Sequence, residues 1–333
     1  MTRQRWRWVW PLAVLIAAAI VVVVEFHWRT LGYQPNIRDS SQLWSIQRDR
    51  VYSTNKTPLV LLGASRIEFG IDTKLLAKLL PNYQPVMLAQ NAHYPLAVLR
   101  DLADDADFRG VVICDIESNG LAETYRDMQQ PLVDYYHKQW SPSWHLHRLL
   151  LTLWQKHAVV ADPQLGVVET VLRLIAGRAP PRPDYVRFFA DRSGDIDYTQ
   201  TDVAAARRHF DELVTKGQVP HAVATPDRWF AGLAPVYAWA QRIQARGGEV
   251  IFYRSPTSGI LPKAEAIMYP PAQYWDRFTA TVPAPVVDAA VIPQLSAFKE
   301  PDDSHLDYRD KPAYTRALVD VLISRGLVIQ LTK

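Results

Sequence analysis

The chain has 333 residues, 48% of them hydrophobic and 21% charged. That composition excludes a wholly disordered chain and supplies a core for one large α/β domain or two smaller ones. Lys and Arg total 37 against 34 Asp and Glu, a net charge of +3. So close a balance gives no electrostatic case for a nucleic-acid partner. The single cysteine, Cys114, excludes an intrachain disulfide framework and any cysteine-rich metal site.

Trp8 to Val24 is an unbroken apolar run of 17 residues, at the short end of what crosses a bilayer. Arg3, Arg5 and Arg7 precede it, and Trp6, Trp8, Trp10 and Trp28 flank it as an interfacial belt would. The arginines are expected to stay cytoplasmic, which sends the rest of the chain across the membrane. Ala17, Ala18 and Ala19 lie inside the run and not after it, so a cleavage site is not evident. Residues 1–28 are therefore expected to form an uncleaved signal anchor. The bulk of the chain is then extracytoplasmic, in the periplasm if the cell is Gram-negative.

Residues 29–57 are polar and aperiodic and are expected to form a stalk. Leu59 to Leu62, ended by Gly63, has the continuous apolar pattern of a buried parallel strand. Ile71 to Leu80 follows as a helix, with Asp72 or Thr73 as N-cap. Pro85 to Ala89 is a second strand, Leu96 to Ala106 a helix and Gly110 to Cys114 a third strand. This alternation predicts a doubly wound, mostly parallel α/β sheet. Residues 120–248 interrupt it as a mostly helical insertion. Leu146 to Trp154, Val167 to Ile175, Thr201 to Leu213 and Tyr237 to Arg246 are its helical stretches, and Pro180, Pro181 and Pro183 break it. The sheet resumes with Glu249 to Tyr253. A short helix over Ala272 to Phe278, a strand over Val286 to Val291 and a closing helix over Lys311 to Ser324 complete the domain, which spans 58–333.

Two short stretches carry the chemistry. Gly63-Ala-Ser65-Arg66 directly follows the first strand, and the carboxyl ends of strands are where open α/β sheets keep their sites. Residue 67 is Ile, so this is not the GxSxG elbow. A serine in such a turn is more often an ordinary N-cap. Asp302-Asp-Ser-His305 lies before the last helix. A serine hydroxyl needs a base within hydrogen-bond reach, and the base needs an orienting acceptor. An Asp three residues ahead of a His meets the second need, although polar loops hold such pairs by chance.

Together the two stretches resemble the SGNH (GDSL-like) hydrolase superfamily, which places its nucleophilic Ser after the first strand and D-x-x-H before the last helix. The likeness covers roughly residues 58–119 and 249–325. It implies a three-layer α/β/α open parallel sheet, with Ser65 as nucleophile, His305 as general base and Asp302 as its partner; Asp303 fits that pattern less well. The oxyanion donors it implies are the Ser65 N–H, Asn91 in LAQNAHYP and Asn119 in DIESNG. Here the chain departs from the family. No Gly follows the second strand, and Glu117 stands in place of the Gly of G-x-N. Asn119 also precedes Gly120, and Asn-Gly is a strong turn former. Within the superfamily the chain looks most like the membrane-anchored branch of envelope O-acetylation proteins and D-alanine transfer proteins.

Arg66 and Arg254 are candidate substrate-binding residues, with ion pairing as the plainer alternative; for Arg66 the expected partners are Glu68 or Asp72. His137, His145, His147 and His157 match no metal spacing, so no metal and no cofactor is expected. Tyr125, Tyr135, Tyr136, Trp140, Trp144 and Trp154 suit a carbohydrate platform, core packing or membrane-facing packing equally. The expected activity is serine-dependent acyl transfer, most of all O-acetyl transfer. The partners would be an acyl donor, a polysaccharide or envelope glycan, and a multi-pass membrane acyltransferase. A carbohydrate esterase and a non-catalytic envelope assembly protein are the alternatives.

Overall fold

The computed structural model describes residues 3–52, 55–215 and 224–329. The side chains of Arg3, Arg5 and Trp6 lie outside the described residues. Chain order begins with α1 (Arg3–Thr30) and α2 (Ser41–Asp49). Then come β1 (Thr57–Leu62), α3 (Ser65–Gly70), α4 (Thr73–Leu79), β2 (Tyr83–Met87), α5 (Leu96–Asp104) and β3 (Val111–Asp115). The insertion holds α6 (Gln130–Lys138), α7 (Pro142–His157), α8 (Val167–Ile175), β4 (Val186–Phe188), β5 (Gly194–Ile196), α9 (Val203–Thr215) and α10 (Pro226–Ala231). Next follow α11 (Ala234–Ala245), β6 (Glu249–Arg254), α12 (Leu261–Met268), α13 (Trp275–Thr281), β7 (Val286–Asp288), α14 (Pro293–Ser296) and α15 (Lys311–Ser324).

The five-stranded sheet has the order β2-β1-β3-β6-β7 and every pairing in it is parallel. Alternate side chains of each strand enter opposite layers. Val60, Leu62, Val112, Cys114, Val250 and Phe252 pack with α5, α11 and α13 on one face. Leu59, Leu61, Ile113, Ile251 and Tyr253 pack with α4, α14 and α15 on the other. The result is the three-layer α/β/α architecture of SGNH-like folds, with a long apolar helix at the amino terminus. Asp72 caps α4, its side chain accepting from the Leu75 N–H at 2.9 Å. β4 and β5 form a small antiparallel hairpin inside the insertion, which is thus not purely helical.

Residues 29–57 are not an extended stalk throughout. Within them α2 buries Trp44 in the core, where its indole N–H donates to the Leu88 carbonyl at 3.1 Å. Arg48 of α2 is buried and donates to Asp101 at 2.8 Å and to Asp105 at 2.7 Å. Upstream, Asp39 takes both arms of the buried Arg192, which also donates to the Met87 and Ala89 carbonyls at the end of β2. Polar partners on distant elements hold this segment down, which is why its own pattern reads as aperiodic.

Within α1, residues 7–30 are long and apolar enough to cross a membrane. Trp8 and Trp10 are exposed, like the apolar residues between and after them. Trp28 differs from the expectation. It is buried against Tyr33 and its indole N–H donates to Thr170 of α8 at 2.9 Å.

Candidate active site

Ser65 begins α3 immediately beyond the carboxyl end of β1. The strand reaches it through Gly63, whose φ is +151°. A Cβ on Gly63 would stand 2.6 Å from Ile67 and 2.8 Å from Asp115, so the chain passes there only without a side chain. Gln129, buried at the start of the insertion, donates to the Gly63 carbonyl at 3.0 Å and to the His93 carbonyl at 2.9 Å. The serine is thereby tied to the loops beyond β2 and β3.

The loop before α15 comes back to the same rim of the sheet. His305 Nε2 lies 2.7 Å from Ser65 Oγ, and His305 Nδ1 lies 2.8 Å from Asp302 Oδ2. Ser65 and His305 are partly exposed while Asp302 is buried. Asp302 also accepts the backbone N–H groups of Ser304 at 2.9 Å and His305 at 2.7 Å. Burial disfavours its charge, but the His305 contact and these N–H donors outweigh that and hold its pKa at about 2. The buried Tyr198, from the turn after β5, stands beside Asp302. Asp303 faces elsewhere, toward Arg207 at 3.4 Å and Ser258.

Two rings flank His305. The Phe69 centroid lies 6.3 Å away and that of Phe210, on α9, lies 6.2 Å away. Arg207, one turn earlier on α9, donates to the Pro301 carbonyl at 2.7 Å. The insertion therefore contributes a wall of the site.

Behind Ser65 runs a polar network. The Arg66 guanidinium donates to Glu117 and, through Nε, to Ser304 at 3.3 Å. The Tyr94 hydroxyl donates to the other oxygen of Glu117 at 2.7 Å. Asn119 Nδ2 donates to Tyr94 at 3.1 Å, and Asn119 Oδ1 accepts from Tyr269 at 2.9 Å. Burial opposes ionisation of Glu117, yet Arg66 holds its pKa below the usual range. Asp115, buried and accepting from the Ser255 N–H and hydroxyl, is pushed up by burial to about 6. Glu265 is pushed up by burial and by the charge on Glu117.

The remaining expected site residues are distributed as follows. The Ser65 N–H sits at the first position of α3, where helix geometry offers no intrahelical acceptor. Asn91 is exposed on the turn beyond β2. Asn119 lies beyond β3 with its amide engaged by Tyr94 and Tyr269, and not merely as a turn former. Arg66 is paired with Glu117, not with Glu68 or Asp72. Arg254 donates to Asp288 and stacks 4.5 Å over Trp275. Tyr94, Gln129, Tyr198, Phe210 and Tyr269 escape sequence reasoning as site residues. Glu117 alone carried a signal, as a carboxylate in a position where the family has Gly.

Among the described residues no group of three or more His, Cys, Asp and Glu side chains is placed to hold a metal ion. Tyr136 and Trp140 bond to Asp49 of α2, and His137 to Asp101. A cavity of about 290 Å³ lies between the end of α1 and the β4–β5 hairpin, lined by Tyr33, Arg38, Asp162 and Tyr185 among others and by none of Ser65, Asp302 and His305.

The fold and this rim define a membrane-length helix joined to a three-layer α/β/α domain with a Ser-His-Asp hydrogen-bonded chain at the strand ends. No protein-family model matches the chain, and no curated protein matches it. Among solved structures the chain is similar to one described as the crystal structure of TesA, at 12% sequence identity and a TM-score of 0.35, over 80% of this chain and 98% of that one.

Proposed function

We propose that the protein is a membrane-anchored serine acyltransferase or esterase acting outside the cytoplasm on an envelope glycan or exopolysaccharide, with O-acetyl transfer as its principal reaction. The observation that carries this reading is the chain Ser65 Oγ···His305 Nε2 and His305 Nδ1···Asp302. It has the separations that a nucleophile, its base and the base's orienting carboxylate require.

In this mechanism His305 Nε2 takes the Ser65 proton as Oγ attacks the acyl carbonyl. The oxyanion forms against the Ser65 N–H, with Asn91 and Asn119 as the further donors proposed. The Asn119 amide already donates to Tyr94 and also faces Tyr125, so its proposed contribution requires one of those contacts to open. Collapse breaks the bond to the leaving group, which departs with the proton held by His305. The acyl group stays on Ser65. An acceptor hydroxyl then loses its proton to His305, attacks the acyl-serine, and leaves as the new ester while Ser65 recovers its proton. Water in the acceptor position gives hydrolysis. Exclusion of water decides between these outcomes, and the α9 wall with Phe210 and Phe69 beside His305 supports transfer. Arg66, fixed beside Ser65, and Arg254, at the end of β6, are proposed to meet polar or anionic groups of the substrate.

The test is labelling of the full-length protein with a fluorophosphonate, together with acyl release from an activated ester and polymer acylation in cells. All three signals are expected from the native chain and none from Ser65→Ala. Polymer acylation that survives Ser65→Ala overturns the enzymatic reading and leaves an assembly role.

A further inference from the structure

Two helices of the insertion are inside out. On α7 the buried positions are Arg148, Thr152 and Gln155, which share one face at helical spacing. Its opposite face presents Leu146, Leu149, Leu150 and Leu153, each about half exposed, with Trp144 and Trp154 toward its ends. α8 repeats the pattern. Thr170 is its buried residue, while Val168, Leu172, Leu174 and Ile175 are exposed, the last at 79%. A helix against a water-soluble core buries its apolar stripe. These two bury polar groups and display the stripe, which in water is costly.

The location says what covers it. The last turns of α1 are fixed to the same region. Val24, from the apolar run, and Trp28 form a cluster with Val159 and Leu165, between α7 and α8. Glu25 accepts the Val159 and Val160 N–H groups at 3.0 Å and 2.9 Å, and Arg29 donates to the carbonyl of His157, the last residue of α7. Trp28 bonds to Thr170 on the buried side of α8. The point where the span leaves the hydrocarbon is thus also the point where α7 ends and α8 packs. Lys156 lies in the last turn of α7, and Arg178 and Arg182 follow α8, all exposed. Cationic side chains at the border of an apolar stripe, with tryptophans near its ends, suit a phospholipid interface.

We propose that α7 and α8 lie in the outer leaflet as a second, monotopic membrane contact, so that the domain rests on the bilayer and does not hang from its anchor. The occupant of the apolar faces is lipid. The reading is independent of the chemistry proposed for Ser65.

The test uses the full-length protein in nanodiscs of mixed zwitterionic and anionic phospholipid, with one spin label per molecule. Cys114 is buried and out of reach of the label. Labels are placed at Leu150→Cys and Ile175→Cys, with Leu153→Cys and Val168→Cys as a second pair should either of the first fail to fold. Val291→Cys, exposed at the β7 edge of the sheet, is the aqueous reference. The ratio of oxygen to nickel-chelate accessibility is expected to be several-fold higher on α7 and α8 than at residue 291. Equal ratios at all sites would place the faces in water and overturn the proposal. Labels shielded from both reagents would show a face covered by a second copy of the protein, and would overturn it equally.

Discussion

Arg66, in the first turn of α3 beyond β1, and Glu117, on the loop beyond the neighbouring strand β3, form an ion pair directly behind Ser65. The pair orients a guanidinium that also reaches Ser304, in the loop that carries Asp302 and His305. Replacing Glu117 with Gln keeps an acceptor for Tyr94 but removes the charge opposite Arg66. Fluorophosphonate labelling of Glu117→Gln is expected to slow by about tenfold, with Ser65 still labelled in the end. An unchanged rate would mean that Arg66 has no part in presenting Ser65.

Asp302 should matter far more. Asn at this position cannot serve as the charged partner of an imidazolium, and activity of Asp302→Asn is expected to fall by about 10³–10⁴-fold. Its effect on stability has a definite sign. The folded chain holds the Asp302 pKa at about 2, below its ordinary 3.8. Its contribution is present above the ordinary value and is lost as pH falls toward 2. The variant should therefore lose less stability than the native chain over that acid range, which urea titration at a series of pH values would measure.

Glu68 behaves in the opposite sense. It is fully buried, 3.6 Å from an Arg192 already paired with Asp39. Burial pushes its pKa up from 4.5 to about 8. Between those values the unfolded chain gives up this proton and the folded chain keeps it, so stability falls as pH rises. Glu68→Gln should melt at higher temperature than the native protein near pH 8, by about 1–3 kcal/mol of stability. The two should converge below about pH 4. Parallel curves across that range would refute the assignment.

Gly63→Ala tests the turn that presents Ser65. The added methyl would meet Ile67 and Asp115 well inside contact distance, at a φ that disfavours any side chain. A loss of about 2–4 kcal/mol in denaturant unfolding is expected, together with loss of labelling, since the backbone relieves the clash only by moving Ser65.

Much of the sheet was legible because β1, β3 and β6 are short apolar runs with Gly63, Gly110 and Gly248 at one border. Glu249 to Tyr253 and Lys311 to Ser324, for instance, fall where β6 and α15 stand. The approach of Ser65 to His305 was legible only through two short blocks taken together. The Glu117–Tyr94–Asn119–Tyr269 network was not, because it joins loops from β2 and β3 across the intervening β1 with a residue that follows α12. Helix α2 was hidden for a different reason. Its inward face includes Ser45, Gln47 and Arg48 alongside Leu43 and Trp44, so it lacks an apolar stripe. On α7 the period was readable, but period alone does not tell which face points outward.

The grip of Asp39 on Arg192 sets a limit on how short a detergent-free version of this protein can be. A chain begun at residue 58 would leave a guanidinium stranded in the interior and a vacancy where Trp44 belongs. One begun near residue 33 would retain both plugs, but it would lose the Glu25, Trp28 and Arg29 contacts to α7 and α8 and would still carry their apolar faces.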